Sequence, residues 1–441
     1  MQSLETITQA ILQAGGKPIL VGGCVRDKLL GTTSKDFDIE VYGLSLEKLE
    51  AVLKTLGSVY AVGKSFGVFK LFNFDISLPR TENKQGQGHK GFVVQSDANL
   101  TFDQASKRRD FTINSMGIDL ETGDLLDPNH GQADLKNKIL RHVSDAFDED
   151  PLRVLRACQF AARFEFEIHP STLKKCWSLE SELKTLPEER IGEEFKKLIM
   201  APKPSIGLQA LLDTRALSLF PELEALIGCQ QDPTWHPEGD VWIHTLMVTD
   251  EAAKLSDSLV IRLAALCHDL GKPPTTQFED GRWRSKNHEA AGTAPTKSFL
   301  NKLSISHDDI EQILPLVQDH LKPCQLYRVK DQVSKGAIRR LATRVNIENL
   351  CLVAKADFLG RTTEDAKTGE DPSSAWLLEE AKKLAVSTSA PEPILLGRHL
   401  IELGIKPGPK MGKILKAAYD AQLEGEFSDL EGAIRSIKSQ A

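Results

Sequence analysis

No stretch of this 441-residue sequence approaches the roughly 20 consecutive apolar residues that a membrane-crossing helix needs, which excludes a helical membrane protein. The first 20 residues are an amphipathic stretch closing near Pro18. They lack the charged start, apolar run and small-residue cleavage site of a secretory signal. Cysteine is sparse. The seven residues (Cys24, Cys158, Cys176, Cys229, Cys267, Cys324 and Cys351) are odd in number, widely spread and form no CxxC pair. That pattern argues against a disulfide framework or a cysteine zinc cage. It predicts reduced, mostly buried thiols in an intracellular, cytoplasmic protein. A basic excess is also missing: 55 Lys and Arg against 62 Asp and Glu leave a net charge of −7. The surface is therefore no uniform basic coat for nucleic acid, although this leaves room for a local track. There is no internal repeat of constant period and no low-complexity tract.

What is present is ordinary globular composition, 41% hydrophobic and 27% charged, in a chain too long for one core. The first 140 residues mix strands and helices. Pro18–Val21 reads as a strand running into Gly22-Gly23, and Cys24–Leu30 as one or two helical turns stopped by Gly31. Asp36–Tyr42 is a β-rich alternating run. Ser45 can cap a helix over Leu46–Leu56, and Val59–Val62 and Val68–Leu78 are two further β-rich runs. Gly86-Gln87-Gly88 sits in a long polar loop. From about Arg141 the signal is helical, with apolar helical spacing over Leu152–Phe164, Ile191–Ile199 and Ile206–Leu219. Pro221 and Cys229–Pro233 mark a boundary, Thr362–Ser374 a polar loop, and Pro407-Gly408-Pro409 a break. The predicted organisation is an α/β head over 1–140 (a mixed sheet with helices), then all-α units over 141–228, 229–365 and 366–441.

The head carries the first chemistry. On a strand, Asp36 and Asp38 share a face, so their carboxylates can converge while Phe37 turns inward. Two hard carboxylates suit magnesium, with substrate phosphates and waters completing the shell. Asp75, on the later β-rich run, is a third candidate ligand. Gly22-Gly23 lets the backbone approach a triphosphate, the helix starting there aims its amides at it, and Arg26 adds a positive fork. Singly these features are commonplace: a DxD often marks a solvated loop, and Gly-Gly a turn. Their order, strand, GG-x-V-R-D, short helix, D-x-D on a strand, is far more specific.

Gly22-Gly23-Cys24-Val25-Arg26-Asp27 with Asp36-Phe37-Asp38 resembles the head of class II tRNA nucleotidyltransferases and bacterial poly(A) polymerases. Arg108-Arg109-Asp110 resembles that family's ribose-selecting motif, and Glu149-Asp150-Pro151-Leu152-Arg153 its base-selecting motif. The match continues through Val154-Leu155-Arg156 and Phe160-Ala161-Ala162-Arg163-Phe164. The resemblance covers residues 18–225 and, in one bacterial subgroup, the whole chain. It implies two-metal nucleotidyl transfer to the 3′ end of tRNA from CTP and ATP, with Asp36, Asp38 and Asp75 at the magnesium ions and Arg26 on the leaving pyrophosphate. Arg109 and Asp110 would hold triphosphate and ribose, Asp150 and Arg153 would read the base, Glu149 would orient them, and Arg156 would contact the nucleotide. Physically, Asp150 can cap the helix opening at Pro151. It lies three residues from Arg153, so an acceptor and a donor stand side by side. That order matches the pairing edges of cytosine and adenine and mismatches uracil and guanine. One departure is Gln159, where many relatives have a second arginine. The loop Arg80–Gln104, with Arg80-Thr81-Glu82 at its base, is full length, and the resemblance then favours CCA or A addition over CC-only addition; poly(A) synthesis is a further alternative.

Six of the eleven histidines fall between His236 and His320. His244, His268-Asp269, His288, His320 and Asp357 form an ordered set of imidazoles and carboxylates suited to a transition metal that activates water. The set resembles the HD phosphohydrolase superfamily, and Trp235-His236-Pro237-Glu238 with His244-Thr245-Leu246-Met247 is similar to the HD-bearing subgroup of CCA-adding enzymes. This implies a second activity with Ni2+, Co2+, Mn2+ or Mg2+, on 2′,3′-cyclic or 2′-phosphates. Hydrolysis as the main activity, or an inert scaffold, are the competing readings. His236 and His307 read as structural. Arg398–Lys416 holds five Lys or Arg against Glu402. On composition this is a solvated helix face, and the resemblance makes the tail a tRNA contact. The expected partners are the tRNA 3′ end, CTP and ATP, with no membrane, and the chain a monomer or homodimer.

Overall fold

The computed structural model describes residues 4–34, 36–62, 67–84, 92–97 and 99–440. It divides into two compact units, one of Met1–Leu198 with Ile206–Leu219, the other of Ile199–Ser205 with Phe220–Ala441.

The first unit opens with helix α1 (Leu4–Gln13), which buries Ile7 and Ile11 and leads into β1 (Lys17–Val21). Helix α2 (Gly23–Leu29) follows, and Gly31 ends that segment at φ 72°, where a glycine is cheapest. Strand β2 (Phe37–Tyr42) comes next, then α3 (Leu46–Lys54), whose cap is Ser45 accepting from the Lys48 N–H. The expected run Val68–Leu78 is two strands: β3 (Tyr60–Val62) is followed by β4 (Val68–Leu71) and β5 (Phe74–Ser77). The chain reverses at Phe72-Asn73, with Phe72 exposed at φ 57°. The buried positions shift phase there, from Phe69 and Leu71 to Phe74 and Ile76, but the exposed Phe72 is in phase with the later pair and, with no glycine or proline at the turn, masks the break. Part of the expected loop Arg80–Gln104 is also strand, β6 (Arg80–Lys84) paired antiparallel with β7 (Phe92–Ser96). Gly86-Gln87-Gly88 lies outside the described residues. Helix α4 (Phe102–Ser106) opens with a Thr101–Gln104 capping box, and β8 (Gly117–Asp119) and β9 (Leu125–Leu126) complete the strands.

Seven strands form one mixed sheet in the order β3-β4-β5-β2-β1-β8-β9. β2 lies near the middle, antiparallel to β1 and parallel to β5, with Asp38 opposite Val21 on one side and Asp75 on the other. After α5 (Gly131–Lys136) the chain reaches α6 (Leu152–Phe164), a helix with the predicted bounds. Its buried face includes Phe160, which meets Phe111 edge-on at 5.7 Å, and Phe111 in turn meets Phe147 at 5.8 Å. The expected helix Ile206–Leu219 is a helix over Pro204–Asp213 followed by a separate 3-10 turn, Ala216–Leu219.

The second unit is helical except for an antiparallel hairpin, Thr276–Glu279 with Arg282–Ser285, where an all-α unit was expected. Helices Val241–Leu255, Leu259–Cys267 and Ile347–Leu359 share a core of Val248, Ala252, Ala265 and Ala356, small residues that allow close helix approach. Helix Pro372–Lys383 packs on Ile347–Leu359, while a separate small core of Leu395, Leu400, Met411, Phe427 and neighbours forms the end of the chain. The cysteines are all unpaired, five of them buried and Cys229 and Cys324 half-buried. No helix among the described residues is long and apolar enough to cross a membrane.

Candidate functional sites

In the first unit, β1 ends at Val21 and the chain turns through Gly22 at φ 81° into α2. A Cβ on Gly22 would lie 3.1 Å from both Asp38 Oδ2 and Arg109 Nη1. The bare glycine therefore leaves the space in which these two groups face each other. Asp36 stands at the start of β2 and is exposed, as is Asp38, and Asp75 is Asp38's neighbour across β5, where it also meets Lys70 at 3.2 Å. Asp38 has Arg109, Asp75, Glu40 and Asp36 as its charged neighbours. Desolvation raises its carboxyl above the usual range; Arg109 opposes this, and the like charges of Asp75, Glu40 and Asp36 reinforce it. Carboxylates held together against their mutual repulsion are a donor set that a hard dication fits.

Glu40 did not emerge from the sequence, although it continues the Asp36-Asp38 alternation on the same face of β2. It is 2% exposed, and its Oε1 accepts from Arg108 Nη2 at 2.9 Å and Arg109 Nη2 at 2.8 Å. Its Oε2 accepts from the Tyr42 hydroxyl at 2.8 Å. Burial alone would raise the Glu40 carboxyl, but Arg109 and Arg108 hold it below the ordinary value. Asp110 accepts from the Phe111 N–H and Asn114 through one oxygen, and from Arg156 Nε and Nη2 at 2.8 and 2.6 Å through the other.

Arg26 does not offer the free fork expected of it. Its Nε and Nη2 donate to Asp27, its Nη1 donates to Asn114 at 2.5 Å, and its guanidinium lies 4.5 Å from the Phe164 ring centre. It is 3% exposed and ties α2 to the following segments. Asp150 accepts from the Leu152 N–H at 3.0 Å, as a cap should, and from Arg190 at 3.0 Å. Arg153 donates to the carbonyls of Arg108 and Ala146, so a base edge competes with these main-chain acceptors. Glu149 closes the 3-10 turn before Asp150, and Gln159 is buried in α6. Asn114 and Arg190 lie far from the motifs they serve, and no local pattern announces them.

In the second unit, the whole predicted histidine set converges. His244 lies on Val241–Leu255, His268 caps Leu259–Cys267, His288 opens His288–Ala291, His320 follows His307–Asp319, and Asp357 lies on Ile347–Leu359. His244, His268 and Asp357 form one group whose donor atoms are within 4.8 Å of one another, and Asp269, His288 and His320 form a second. His268, His288 and His320 each donate Nδ1–H to the carbonyl three residues back (Ala265, Ser285 and Val317, at 2.7, 2.8 and 2.7 Å). That bond sets the tautomer and leaves Nε2 as a lone-pair donor toward the centre. His244 Nδ1 meets Glu238 at 2.9 Å and its Nε2 meets Asp357 at 3.1 Å.

Burial, with His268 and His288 alongside, pushes the His320 pKa down to about 3, so it is the neutral ligand form at physiological pH. Nε2 of His268 and of His288 and both carboxylate oxygens of Asp269 are buried and make no well-aligned hydrogen bond, the two Nε2 atoms lying against the Asp269 oxygens at 3.1 and 3.4 Å. Donor atoms gathered in this way fit a metal ion. Lys272 Nζ meets Asp269 at 2.6 Å and Arg361 meets Asp357 at 2.9 Å, each one helical step from its partner in sequence. His236, read as merely structural, stacks edge-on to His244 at 4.6 Å and lines the adjoining cavity. His307 is exposed beside Glu311.

These two sites match known families. The poly A polymerase head domain family matches residues 19–141, the family described as the probable RNA and SrmB-binding site of polymerase A matches 165–227, and the HD domain family matches 241–361. The class is thus a poly A polymerase-type head joined to an HD domain. A multifunctional CCA protein of Vibrio parahaemolyticus is 40% identical over 359 residues, 78% of this chain and 85% of its own. One of Xanthomonas oryzae pv. oryzae is 38% identical over 421 residues, 92% and 98% of the two chains. The chain belongs to the multifunctional CCA protein family. A Bacillus stearothermophilus CCA-adding enzyme in complex with CTP shares the fold at a TM-score of 0.69 and 21% identity, covering 98% of this chain and 96% of its own. A Thermotoga maritima CCA-adding enzyme complexed with tRNA does so at 0.61 and 20%, covering 100% and 96%.

Glu40→Gln removes the charge partner of two poorly hydrated guanidiniums. It should destabilise the first unit by about 3–5 kcal/mol, the cost of breaking a buried pair. A urea titration checks this, and a midpoint unchanged from wild type would refute the pairing's importance. In the second unit, a Cβ on Gly271 would lie 1.9 Å from the His288 carbonyl. Gly271→Ala should therefore displace His288 and weaken metal binding about 10–100-fold, the usual effect of disturbing a ligand's support. Metal content after dialysis against graded chelator measures it.

Proposed function

We propose that the chain adds C and A, from CTP and ATP, to the 3′ end of tRNA to build CCA, and that its HD unit hydrolyses 2′,3′-cyclic and 2′-phosphoesters. The observation that carries the first reading is the convergence of Asp38, its strand neighbour Asp75 and Arg109 about the Gly22 turn. Kinship with multifunctional CCA proteins supports both activities. The structural relatives solved with CTP and with tRNA point to the same partners.

In the head, Asp36, Asp38 and Asp75 would hold magnesium, which when bound supplies charge neutralisation for the phosphates and acidifies the attacking hydroxyl. The RNA 3′-oxygen bonds to the α-phosphorus, the α–β phosphoanhydride bond breaks, and pyrophosphate leaves with the bonding pair while the hydroxyl proton passes to solvent. Glu40 holds Arg108 and Arg109 in place through ion pairs, so Arg109 is presented beside Asp38 without further ordering. Asp110, pinned by Arg156, serves the ribose, and Asp150 with Arg153 serves the base. Because Arg153 bonds the Arg108 carbonyl, the base-reading helix and the triphosphate-holding segment are mechanically one piece.

In the HD unit, His244, His268, Asp269, His288, His320 and Asp357 would hold nickel, cobalt, manganese or magnesium. A water oxygen bonds to phosphorus, one P–O ester bond breaks, and the departing ribose oxygen takes a proton. Lys272 and Arg361 hold Asp269 and Asp357 ionised by their charge, against the burial that disfavours it. On this reading the chain has a head (1–140), a base-selecting segment (141–228), an HD unit (229–365) and a tail (366–441). Arg398, Lys406, Lys410, Lys413 and Lys416 are all exposed in that tail and suit an RNA backbone.

Two experiments test this. tRNAs ending in the discriminator base, C or CC are incubated with labelled CTP or ATP. Asp36→Ala with Asp38→Ala should abolish addition and spare cyclic-phosphate hydrolysis, and His268→Ala with Asp269→Ala should do the reverse. Loss of both activities together in either variant, with a lowered melt, would reduce these residues to packing; incorporation of C alone, A alone or long A tracts would reassign the product. Separately, Arg153→Ala should let UTP and GTP compete, at about 1–3 kcal/mol of lost discrimination. Competition with all four nucleotides measures this, and an unchanged preference would move base reading elsewhere.

A further inference from the structure

The HD cluster opens into a cavity of about 830 Å3, the size of a small-ligand site and larger than a phosphate alone requires. Asp269, His288 and Asp357 form its metal-binding wall. Trp235, Trp283 and Tyr327 supply aromatic lining to the same space. Trp235 is 51% exposed, an unusual position for so large an apolar ring. It is also firmly placed. Asp232 caps the preceding turn, accepting from the Thr234 N–H at 2.9 Å through its side chain and from the Trp235 N–H at 3.1 Å through its carbonyl. The Arg328 guanidinium lies 5.9 Å from the Trp235 ring centre. The next residue in the chain, His236, stacks on His244, so the indole sits one residue from the metal-binding group.

We propose that Trp235, with Tyr327 and Arg328, forms a base-stacking subsite, and that the HD cavity takes a nucleotide whose 2′- or 2′,3′-cyclic phosphate lies at Asp269, His288 and His320. This rests on the phosphohydrolase reading of the HD unit. An exposed ring flanked by a guanidinium is the arrangement on which unpaired bases stack, with little dependence on base identity. Lys272 and Arg361 line the same cavity but are each paired with a carboxylate, Asp269 and Asp357, so a metal ion held by this set would supply the positive charge that a phosphate meets. The substrate thereby carries a base as well as a phosphate, and a phosphate ester without a base binds poorly.

Calorimetric titration of the nickel-loaded full chain with adenosine 2′-monophosphate and with inorganic phosphate tests this. Trp235→Ala should raise the nucleotide Kd at least about tenfold, equivalent to ~1.4 kcal/mol, and shift the phosphate Kd less than twofold. Trp235→Phe, which keeps a ring, should recover most of the affinity. A short oligoribonucleotide ending in a 2′-phosphate forms a second arm. Tighter binding than the mononucleotide assigns the site to an RNA end, and equal binding to a free nucleotide, each supporting the subsite if Trp235→Ala abolishes the advantage. The subsite is overturned if wild type does not bind the nucleotide. It is overturned equally if Trp235→Ala binds the nucleotide as wild type does, or loses nucleotide and phosphate alike. If wild type binds in the predicted Trp235-dependent way yet hydrolyses no cyclic phosphate with any of the four metals, the hydrolase reading fails and the subsite stands.

Discussion

A single buried carboxylate organises the first unit. Glu40 lies on β2 two residues beyond Asp38, in a place where an unpaired charge would be expensive. The two guanidiniums of Arg108 and Arg109 offset that cost, and the Tyr42 hydroxyl completes the oxygen shell. The consequence spreads outward. Holding Arg109 sets the cation that faces Asp38 across Gly22, and holding Arg108 sets the carbonyl to which Arg153 donates. Asp110, the next residue, is pinned by Arg156. Strand β2, which carries Asp38, and helix α6, which carries Arg153 and Arg156, are thus joined through three consecutive residues, 108–110. Geometry of this kind lets a small displacement at one end reach the other, because charge-assisted hydrogen bonds tolerate little stretching.

The second unit solves a different problem with a different device. Four imidazoles and two carboxylates crowd a volume from which water is largely excluded, and each must present the correct atom inward. Three of the imidazoles each donate Nδ1–H to a carbonyl three residues back, His268 and His320 at the C-terminal ends of their helices and His288 to Ser285 at the end of a strand. For His268 and His320 that carbonyl is left without its helical partner when the helix terminates, so the helix end supplies the acceptor and the histidine satisfies it. His244 lies within its helix instead, and its Nδ1 lies 2.9 Å from the Glu238 carboxylate, which comes from a loop. The carboxylates are balanced by Lys272 and Arg361 at helical spacing. The first unit thus sets Asp38 and Asp75 side by side on neighbouring strands, and the second gathers its groups from helix interiors and helix ends.

Local pattern was enough for much of this. Strand β1, helix α2, β2 and the full extent of α6 follow from apolar period, glycine stops and a proline start, all of which act within a few residues. The ligand sets were legible for the same reason. Asp36 and Asp38 are one strand period apart, and the histidines stand in ordered motifs whose residue types announce metal chemistry. The hairpin at Phe72-Asn73 was not legible. No glycine or proline marks the reversal, and Phe72 hides the one-residue shift of apolar phase from Phe69 and Leu71 to Phe74 and Ile76, which the pairing of β4 with β5 reveals.

The sequence by itself thus determined the elements that carry each candidate site and the residue types found there, because these are properties of neighbours along the chain. Only the tertiary structure decided which charges are partners. Arg26 was expected to be a free cation and is occupied by Asp27 and Asn114, the latter 88 residues away. Arg153 was expected to be a free donor and is engaged by the Arg108 carbonyl, 45 residues away. Glu40 was silent and proved central. The physical reason is common to all three: a guanidinium or carboxylate drawn out of water must find an opposite charge or an acceptor wherever folding places one. That distance through space bears no relation to distance along the chain.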